Sequence, residues 1–207
     1  MSSKIAEHWN ERYGNEEFAY GTEPNEYFKQ KIKEYAPGKI LFPAEGEGRN
    51  AVYAATQGWK STAFDLSSEG KSKALKLAVK NNVSIKYEVG ELQNLNFQPE
   101  EFDATVLVFA HFQPELRASL HHDISKLIKK DGIIILEGFS KKHLEYQAEN
   151  NKVGGPRDEA MLFSTELIES DFPDFEIIEL LETETELSEG LYHQGKASVI
   201  RFVGKKK

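Results

Sequence analysis

Between residues 39 and 136, five short apolar runs alternate with longer amphipathic stretches, and this rhythm restricts the fold more than any other feature. The runs at residues 39–42, 61–64, 85–89, 103–110 and 133–136 have the length and β-branched content of strands. The fourth, Asp-Ala-Thr-Val-Leu-Val-Phe-Ala, is nearly continuous in apolar residues, as in a strand buried on both faces. The stretches between them read as helices. Residues 50–57 are small and apolar and stop at Gly58; Ser67 or Ser68 caps a helix running to Lys80, with Ala74, Leu75 and Ala78 inward. Pro114 opens a helix whose stripe is Leu116, Leu120, Ile124, Leu127 and Ile128, stopped at Asp131-Gly132. Strands and helices in this alternation imply an α/β fold, a doubly wound and mostly parallel sheet with helices on both faces. The end of the chain differs: residues 175–187 and 197–203 are strand-like and joined by Ser188-Glu189-Gly190 with no helix between, which implies an antiparallel C-terminal strand pair and seven strands in all. Ahead of the sheet, Ile5, Trp9 and Tyr13 fall four apart on one helix face, and Tyr27, Phe28, Ile32 and Tyr35 suggest a second helix. Residues 1–38 are thus expected to form an N-terminal helical lid and residues 39–207 a sheet core, within a single domain.

In an open parallel sheet, ligands sit at the carboxyl ends of the strands. Four such ends carry suggestive residues: the turn at 45–48, Asp65 with Leu66, Glu91-Leu92, and Phe109-Ala110-His111. Gly46-Glu47-Gly48-Arg49-Asn50-Ala51 fits the nucleotide-binding pattern G-x-G-x-x-A, and Asp65 follows Gly46 by 19 positions, near the spacing of an acid that accepts ribose hydroxyls. Capping of the helix that follows is the alternative reading of Asp65, and the glycine turn upstream favours the ribose. Charge separates two cofactors. A dinucleotide lays an anionic pyrophosphate on such a turn, where Glu45 and Glu47 would repel it. S-adenosylmethionine (SAM) carries no phosphate but an ammonium and a sulfonium. SAM is therefore the expected cofactor, with a nicotinamide-dependent oxidoreductase and a non-catalytic SAM-binding domain as alternatives.

The segment Ile40-Leu41-Phe42-Pro43-Ala44-Glu45-Gly46-Glu47-Gly48-Arg49-Asn50-Ala51 resembles motif I of class I SAM-dependent methyltransferases. Ala63-Phe64-Asp65-Leu66-Ser67 resembles the acidic element after their second strand, and Leu127-Ile128-Lys129-Lys130-Asp131-Gly132 the turn before their fifth. Tyr20-Gly21-Thr22-Glu23-Pro24-Asn25 and Gly154-Gly155-Pro156 are similar to segments of the tellurite-resistance and thiopurine branch, which methylates small molecules. The resemblance implies a Rossmann-like sheet and methyl transfer from SAM to a small acceptor such as a thiol, a metalloid oxyanion or a heterocycle. It also implies cofactor contacts at Tyr20, Ala44, Glu45, Gly46, Gly48, Asn50, Asp65, Leu66, Glu91, Leu92 and Phe109. The chain departs from motif I at Phe42, where an acid is usual, at Ala44, where the first glycine is usual, and at Glu91, where the third strand's acid is usually Asp. Glu45 or a backbone carbonyl near Ala44 is then expected to hold the SAM ammonium.

Methyl transfer needs no protein nucleophile, and a base only where the acceptor must lose a proton. His111 is the candidate base, with Tyr13 and Arg157 as candidate acceptor contacts; Trp9, Arg12, Tyr13 and Tyr20 offer aromatic faces and a cation to a lid. His121 and His122 read as solvated or cap-like and, being adjacent on a helix, not as a metal pair; His193 reads as a loop residue, with a substrate contact as its alternative. With no cysteine, thiolate metal sites and disulfides are excluded, and no metal is expected. The net charge of -8 and the lack of a basic face beyond Lys205-Lys206-Lys207 argue against nucleic acid as partner. No window is apolar enough for a membrane span, and the polar start MSSKIAEHWNERY is not a secretory signal, so the chain is expected in the cytoplasm.

Overall fold

The computed structural model describes residues 2–207; Met1, with which the expected lid begins, lies outside them. The chain opens with α1 (Ser2–Tyr13) and α2 (Glu26–Lys31), and then alternates strand and helix: β1 (Lys39–Pro43), α3 (Arg49–Thr56), β2 (Lys60–Asp65), α4 (Ser68–Lys80), β3 (Lys86–Val89), β4 (Phe102–Val108), α5 (Pro114–Lys126) and β5 (Ile128–Phe139). Then come α6 (His143–Glu149), α7 (Thr165–Asp171) and the hairpin β6 (Phe175–Glu189) and β7 (His193–Lys206). The seven strands form one sheet in the order β3-β2-β1-β4-β5-β7-β6. β1 to β5 pair in parallel, and β7 runs antiparallel to both β5 and β6. This is the doubly wound sheet with an antiparallel end that the sequence pattern implies.

Alternation within buried strands builds two cores. Ile133 and Ile135 of β5 join Ile40, Phe42 and Val106 beneath Phe28 and Ala54, while Ile134 and Leu136 face Ile124, Phe163 and Phe172 on the other side. Both faces of β4 and β5 are covered, which is why their apolar runs are continuous rather than alternating. The strand order reverses at β1, whose neighbours are β2 on one side and β4 on the other. At such a switch point the connecting helices diverge to opposite faces and leave a crevice at the strands' carboxyl ends.

Several local expectations are corrected. Leu75 is 39% exposed, and Leu77 is buried with Ala74 and Ala78; the inward stripe of α4 follows i, i+3, i+4 from Ala74, one residue off the expected one. Leu116 is 46% exposed. Ile128 is not the end of a helix stripe but the start of β5, paired with Phe102 ahead of a register shift, and Asp131 takes a positive φ of 64° within that irregularity. Phe109 also has a positive φ, 51°, which ends β4 at Val108, short of the expected residue 110.

His121 is the largest correction. It is wholly buried rather than solvated, and its Nδ1 lies 2.7 Å from Asp171 Oδ2, while Arg117 Nε donates to the same oxygen at 2.8 Å. One carboxylate on α7 thus gathers two side chains of α5. Removing it would strand a buried imidazole and a guanidinium without their acceptor. Asp171→Ala is expected to cost about 3 kcal/mol in urea unfolding at pH 7, from the usual penalty for breaking a buried charged hydrogen-bond set; a loss under about 1 kcal/mol would show that the α5–α7 contact does not depend on it.

Candidate functional site

The turn from β1 to α3 needs three left-handed residues in five: Ala44 (φ 52°), Gly46 (φ 60°) and Gly48 (φ 85°). Glycine takes this conformation freely, whereas alanine adopts it at a cost of about 1–2 kcal/mol. Gly46 meets a second limit, since a Cβ there would lie 2.6 Å from the Tyr13 hydroxyl. Asn50 of α3 is buried, and its Oδ1 accepts from Asn25 N at 2.9 Å, tying the 20–25 loop to the turn.

The two acids of the turn are both engaged. Glu45 Oε1 accepts from Ala51 N at 2.7 Å, and the Asn50 amide also bonds this carboxylate, so Glu45 caps the first turn of α3. Burial pushes its carboxyl up to about 7, against the opposing pull of those amides and of Arg49. Glu47 accepts from Ala19 N at 2.8 Å, Tyr20 N at 3.4 Å and Lys73 Nζ at 2.8 Å. The side chains that would repel a pyrophosphate thus fasten the helix and the N-terminal segment. Phe42, at the position usual for an acid, is fully buried edge-on to Phe28.

Asp65 ends β2 and is pinned from two sides: Gly46 N donates to Oδ2 at 3.0 Å and Ser67 N to Oδ1 at 2.9 Å. Burial raises its pKa, and those two amides with Leu66 N pull it back. A carboxylate has about four lone-pair positions, so three amide donors leave Asp65 capacity for about one more. The cap of α4 is Ser67, whose Oγ accepts from Gly70 N, so Asp65 is not needed as the helix cap. Leu66 is half-buried beside it.

The N-terminal segment closes over these groups. Asn10 Oδ1 accepts from Ser67 Oγ at 2.7 Å and from Glu69 N at 3.3 Å at the start of α4. Tyr13 is buried, stacks on Trp9 at 5.4 Å and lies edge-on to Tyr20 at 6.5 Å. Burial, with Asp65 next, raises its phenol well above the ordinary range. Arg12 lies 4.0 Å over the Tyr192 ring and donates to the Tyr20 hydroxyl at 3.4 Å. Asn25 is a hub: its Oδ1 caps α2 through Phe28 N, and its Nδ2 donates to Glu137 at 2.7 Å and Glu189 at 3.0 Å. Glu137 also takes Arg201 Nε at 2.6 Å, and Glu189 takes Arg49 at 2.8 Å.

At the ends of β3 and β4, Glu91 and Leu92 are half-buried, with Gln93 donating to Glu91 at 2.7 Å. Phe109 stacks on Phe139 at 4.5 Å. His111 is corrected from its expected role as base. Phe139 N donates to its Nε2 at 3.0 Å, so Nδ1 carries the proton and donates to Met161 O at 2.8 Å. Burial lowers it to about 4. With both nitrogens spent on backbone, the ring braces β5 and the loop before α7 and has no lone pair for an acceptor. Arg157 is exposed and, among the described residues, forms no hydrogen bond or ion pair.

The structure therefore brings together Tyr13, Tyr20, Glu45, Gly46, Gly48, Asn50 and Asp65, leaves Glu91 and Leu92 on the β3 side and Phe109 on the β4 side, and keeps Arg157 apart. It adds Asn25, Arg49, Glu137, Glu189 and His193; Asn25 and Arg49 lie inside segments the sequence marked, whereas Glu137 carried no sequence signal. Two open depressions lie elsewhere, around Trp59 and Lys86 and around Tyr35 and Lys205. No cluster of three or more metal-ligating side chains occurs among the described residues.

Residues 40–132 match a family described as a methyltransferase domain. No curated protein matches the chain in sequence. Solved structures match its fold over nearly its whole length. The protein solved for the conversion of a disulfide bond into a thioacetal group during echinomycin biosynthesis has a TM-score of 0.79 at 16% identity, over 98% of this chain and 92% of that one. TehB from Haemophilus influenzae has a TM-score of 0.70 at 18% identity, over 98% of this chain and 67% of that one. Magnesium protoporphyrin IX methyltransferase (ChlM) from Synechocystis PCC 6803, with bound SAH, has a TM-score of 0.69 at 14% identity, over 100% of this chain and 99% of that one. Residues 40–132 thus match a methyltransferase domain, and the whole chain shares the fold of solved SAM-dependent methyltransferases.

Proposed function

We propose that this chain transfers a methyl group from SAM to a small-molecule acceptor, and that the crevice at the carboxyl ends of β1, β2 and β4 holds the cofactor. The observation that carries the reading is the α3 N-terminus: Glu45 occupies the amides that a dinucleotide would need for its pyrophosphate, while Asp65 keeps an acceptor position for a ribose hydroxyl. A nicotinamide dinucleotide would have to displace a carboxylate with a second anion. A cofactor that brings an ammonium instead gains from Glu45 and Asp65 together.

In this reading the backbone at Ala44, Gly46 and Gly48 cradles the methionine end, with Asn50 holding the turn. Asp65 takes the ribose. Leu66, Glu91 and Leu92 border the base, and Phe109 and Tyr20 face the transferable methyl. When bound, SAM supplies an electrophilic methyl on a sulfonium, whose C–S bond breaks with its electron pair on sulfur. The chain's own part is to orient the partners and exclude water, the main routes to acceleration where the cofactor brings the reactive group. Residues 1–38 act as the lid, since Tyr13 and Asn10 already lie against Gly46 and Ser67. Tyr13 and Arg157 stand as acceptor contacts, Arg157 only if its loop folds inward. The Tyr20-to-Asn25 segment supports a place in the tellurite-resistance and thiopurine branch, and thus a thiol, metalloid oxyanion or heterocycle as acceptor. A net charge of -8 supports a small molecule over nucleic acid. No helix among the described residues is long and apolar enough to cross a membrane, and the absence of cysteine suits the cytoplasm.

Asp65→Ala should weaken S-adenosylhomocysteine binding by about 1.5–3 kcal/mol, the worth of a charged hydrogen bond, as read by titration calorimetry on protein with native circular dichroism. Unchanged affinity would remove Asp65 from the cofactor site. Hydrogen exchange on residues 5–25 tests the lid: these amides should exchange faster without S-adenosylhomocysteine than with it, and equal strong protection in both states would make α1 a fixed structural helix.

A further inference from the structure

The β6–β7 hairpin returns a histidine to the carboxyl ends of β4 and β5. His193 is 4% exposed, and its ring lies 4.5 Å from Tyr20, 4.6 Å from Phe109 and 5.3 Å from Phe139. The rings connect it to the cofactor turn: Tyr13 abuts Gly46, Tyr20 follows Tyr13, and His193 follows Tyr20 on the way to Phe109 at the end of β4. Its Nδ1 lies 3.2 Å from Glu189 Oε2, and its Nε2 forms no hydrogen bond among the described residues. Glu189 is itself held from both sides, by Arg49 at Oε2 and Asn25 at Oε1. A carboxylate so placed orients the ring with the proton on Nδ1 and the lone pair on Nε2, and it stabilises the imidazolium that forms when Nε2 is protonated. The neighbouring histidines lack this arrangement. His111 spends both nitrogens on backbone, and His143 binds Gly154 O through Nε2 while its Nδ1 is sealed from solvent.

We propose that His193 Nε2, positioned by Glu189, takes the proton of the methyl acceptor, and that the acceptor is therefore an aromatic O–H or N–H compound that is still protonated at neutral pH. The proposal rests on the methyl-transfer reading. The acceptor's bond to hydrogen breaks with its pair left on oxygen or nitrogen, the proton bonds to Nε2, and the freed pair forms the new bond to the methyl carbon. The imidazolium then returns its proton to water. The rings of Tyr20, Phe109 and Phe139 packed around the imidazole offer stacking partners that a flat acceptor would use. The charged and titratable groups facing His193 are Glu189 from β6, Arg49 from α3, Arg12 from α1, Tyr20, Tyr192, His143 from α6 and His111 beyond β4. Burial, with Arg49 and Arg12, holds the imidazole below its ordinary range against the pull of Glu189, so the base form is present at neutral pH. Rate should rise with pH through that lowered pKa and then level off.

The test uses the intact chain with phenol and benzimidazole as protonated acceptors and 4-nitrobenzenethiolate as one already ionised. In His193→Gln, kcat on phenol and benzimidazole should fall about 100-fold or more, the usual worth of a general base, with the acidic limb of the pH profile lost. KM, S-adenosylhomocysteine affinity and thiolate turnover should stay within about threefold. Gly154→Ala is the second variant: at a φ of 75° its Cβ would lie 2.5 Å from Tyr192 O and 2.6 Å from His193 Cδ2, so it shifts the Tyr192–His193 backbone and the ring together, and in protein with native circular dichroism it should reproduce the acceptor-selective loss. Equal loss on all acceptors, or none on phenol and benzimidazole, overturns the proposal. Nitrogen NMR of His193 gives a readout without turnover: the Nδ1–H tautomer is expected, with Nε2 shifting on addition of benzimidazole, and an Nε2–H tautomer or an unmoved Nε2 overturns the proposal on its own. Failure of the wild-type chain to bind S-adenosylhomocysteine would instead sink the methyl-transfer reading.

Discussion

Helix α3 begins with backbone amides that no residue of its own can satisfy, and the Glu45 carboxylate takes them. The rest of the crevice is arranged around that choice. Because the cap comes from the turn itself, the turn must fold back on the helix, which places Ala44, Gly46 and Gly48 in left-handed conformations. The fold-back presents Gly46 N to Asp65, and Asp65 reaches on to Ser67 N at the head of α4. The starts of two helices and the ends of two strands are thus joined by carboxylates bonded to backbone. An anion-binding turn has been filled by the chain's own carboxyl groups.

A second set of acids ties the N-terminal segment to the far side of the sheet. Asn25 bridges Glu137 on β5 and Glu189 at the end of β6, and each acid has its own arginine, Arg201 and Arg49. Burial raises Glu137 against the pull of Arg201 and Asn25, whereas Arg49 and His193 overcome burial at Glu189 and hold it at about 2. Glu189 thereby stays an anion and can hold an imidazole in one tautomer. Buried ion pairs contribute little net stability, because desolvation offsets most of their attraction. Their effect here is on position: they fix the 20–25 loop, and with it Tyr20, over the ends of β4 and β5. Below this network, His111 and His121 stay neutral by burial and act as braces between strands, loops and helices.

Much of this was readable from residue order. Apolar runs of strand length separated by helical periods determined the parallel sheet and its two covered faces, and the missing helix between residues 187 and 197 determined the antiparallel end. Gly46, Gly48 and Asp65 at their spacing pointed to a turn and an acid that the structure joins at the ends of β1 and β2, since local backbone needs are properties of short segments. What the sequence could not decide is which side chains meet across long separations. His111 and His193 are both histidines beside aromatic residues, and nothing local distinguishes the brace from the open base. The difference lies in what each ring nitrogen finds: backbone groups 28 and 50 residues away for His111, and for His193 a carboxylate four residues back that is itself held by Arg49, 140 residues from it. Likewise the exposed reading of His121 failed because its partner, Asp171, is brought in only by the packing of α7 on α5. Periodicity fixes which face of an element is buried; the protonation, tautomer and freedom of a buried polar group depend on partners that only the closed sheet supplies.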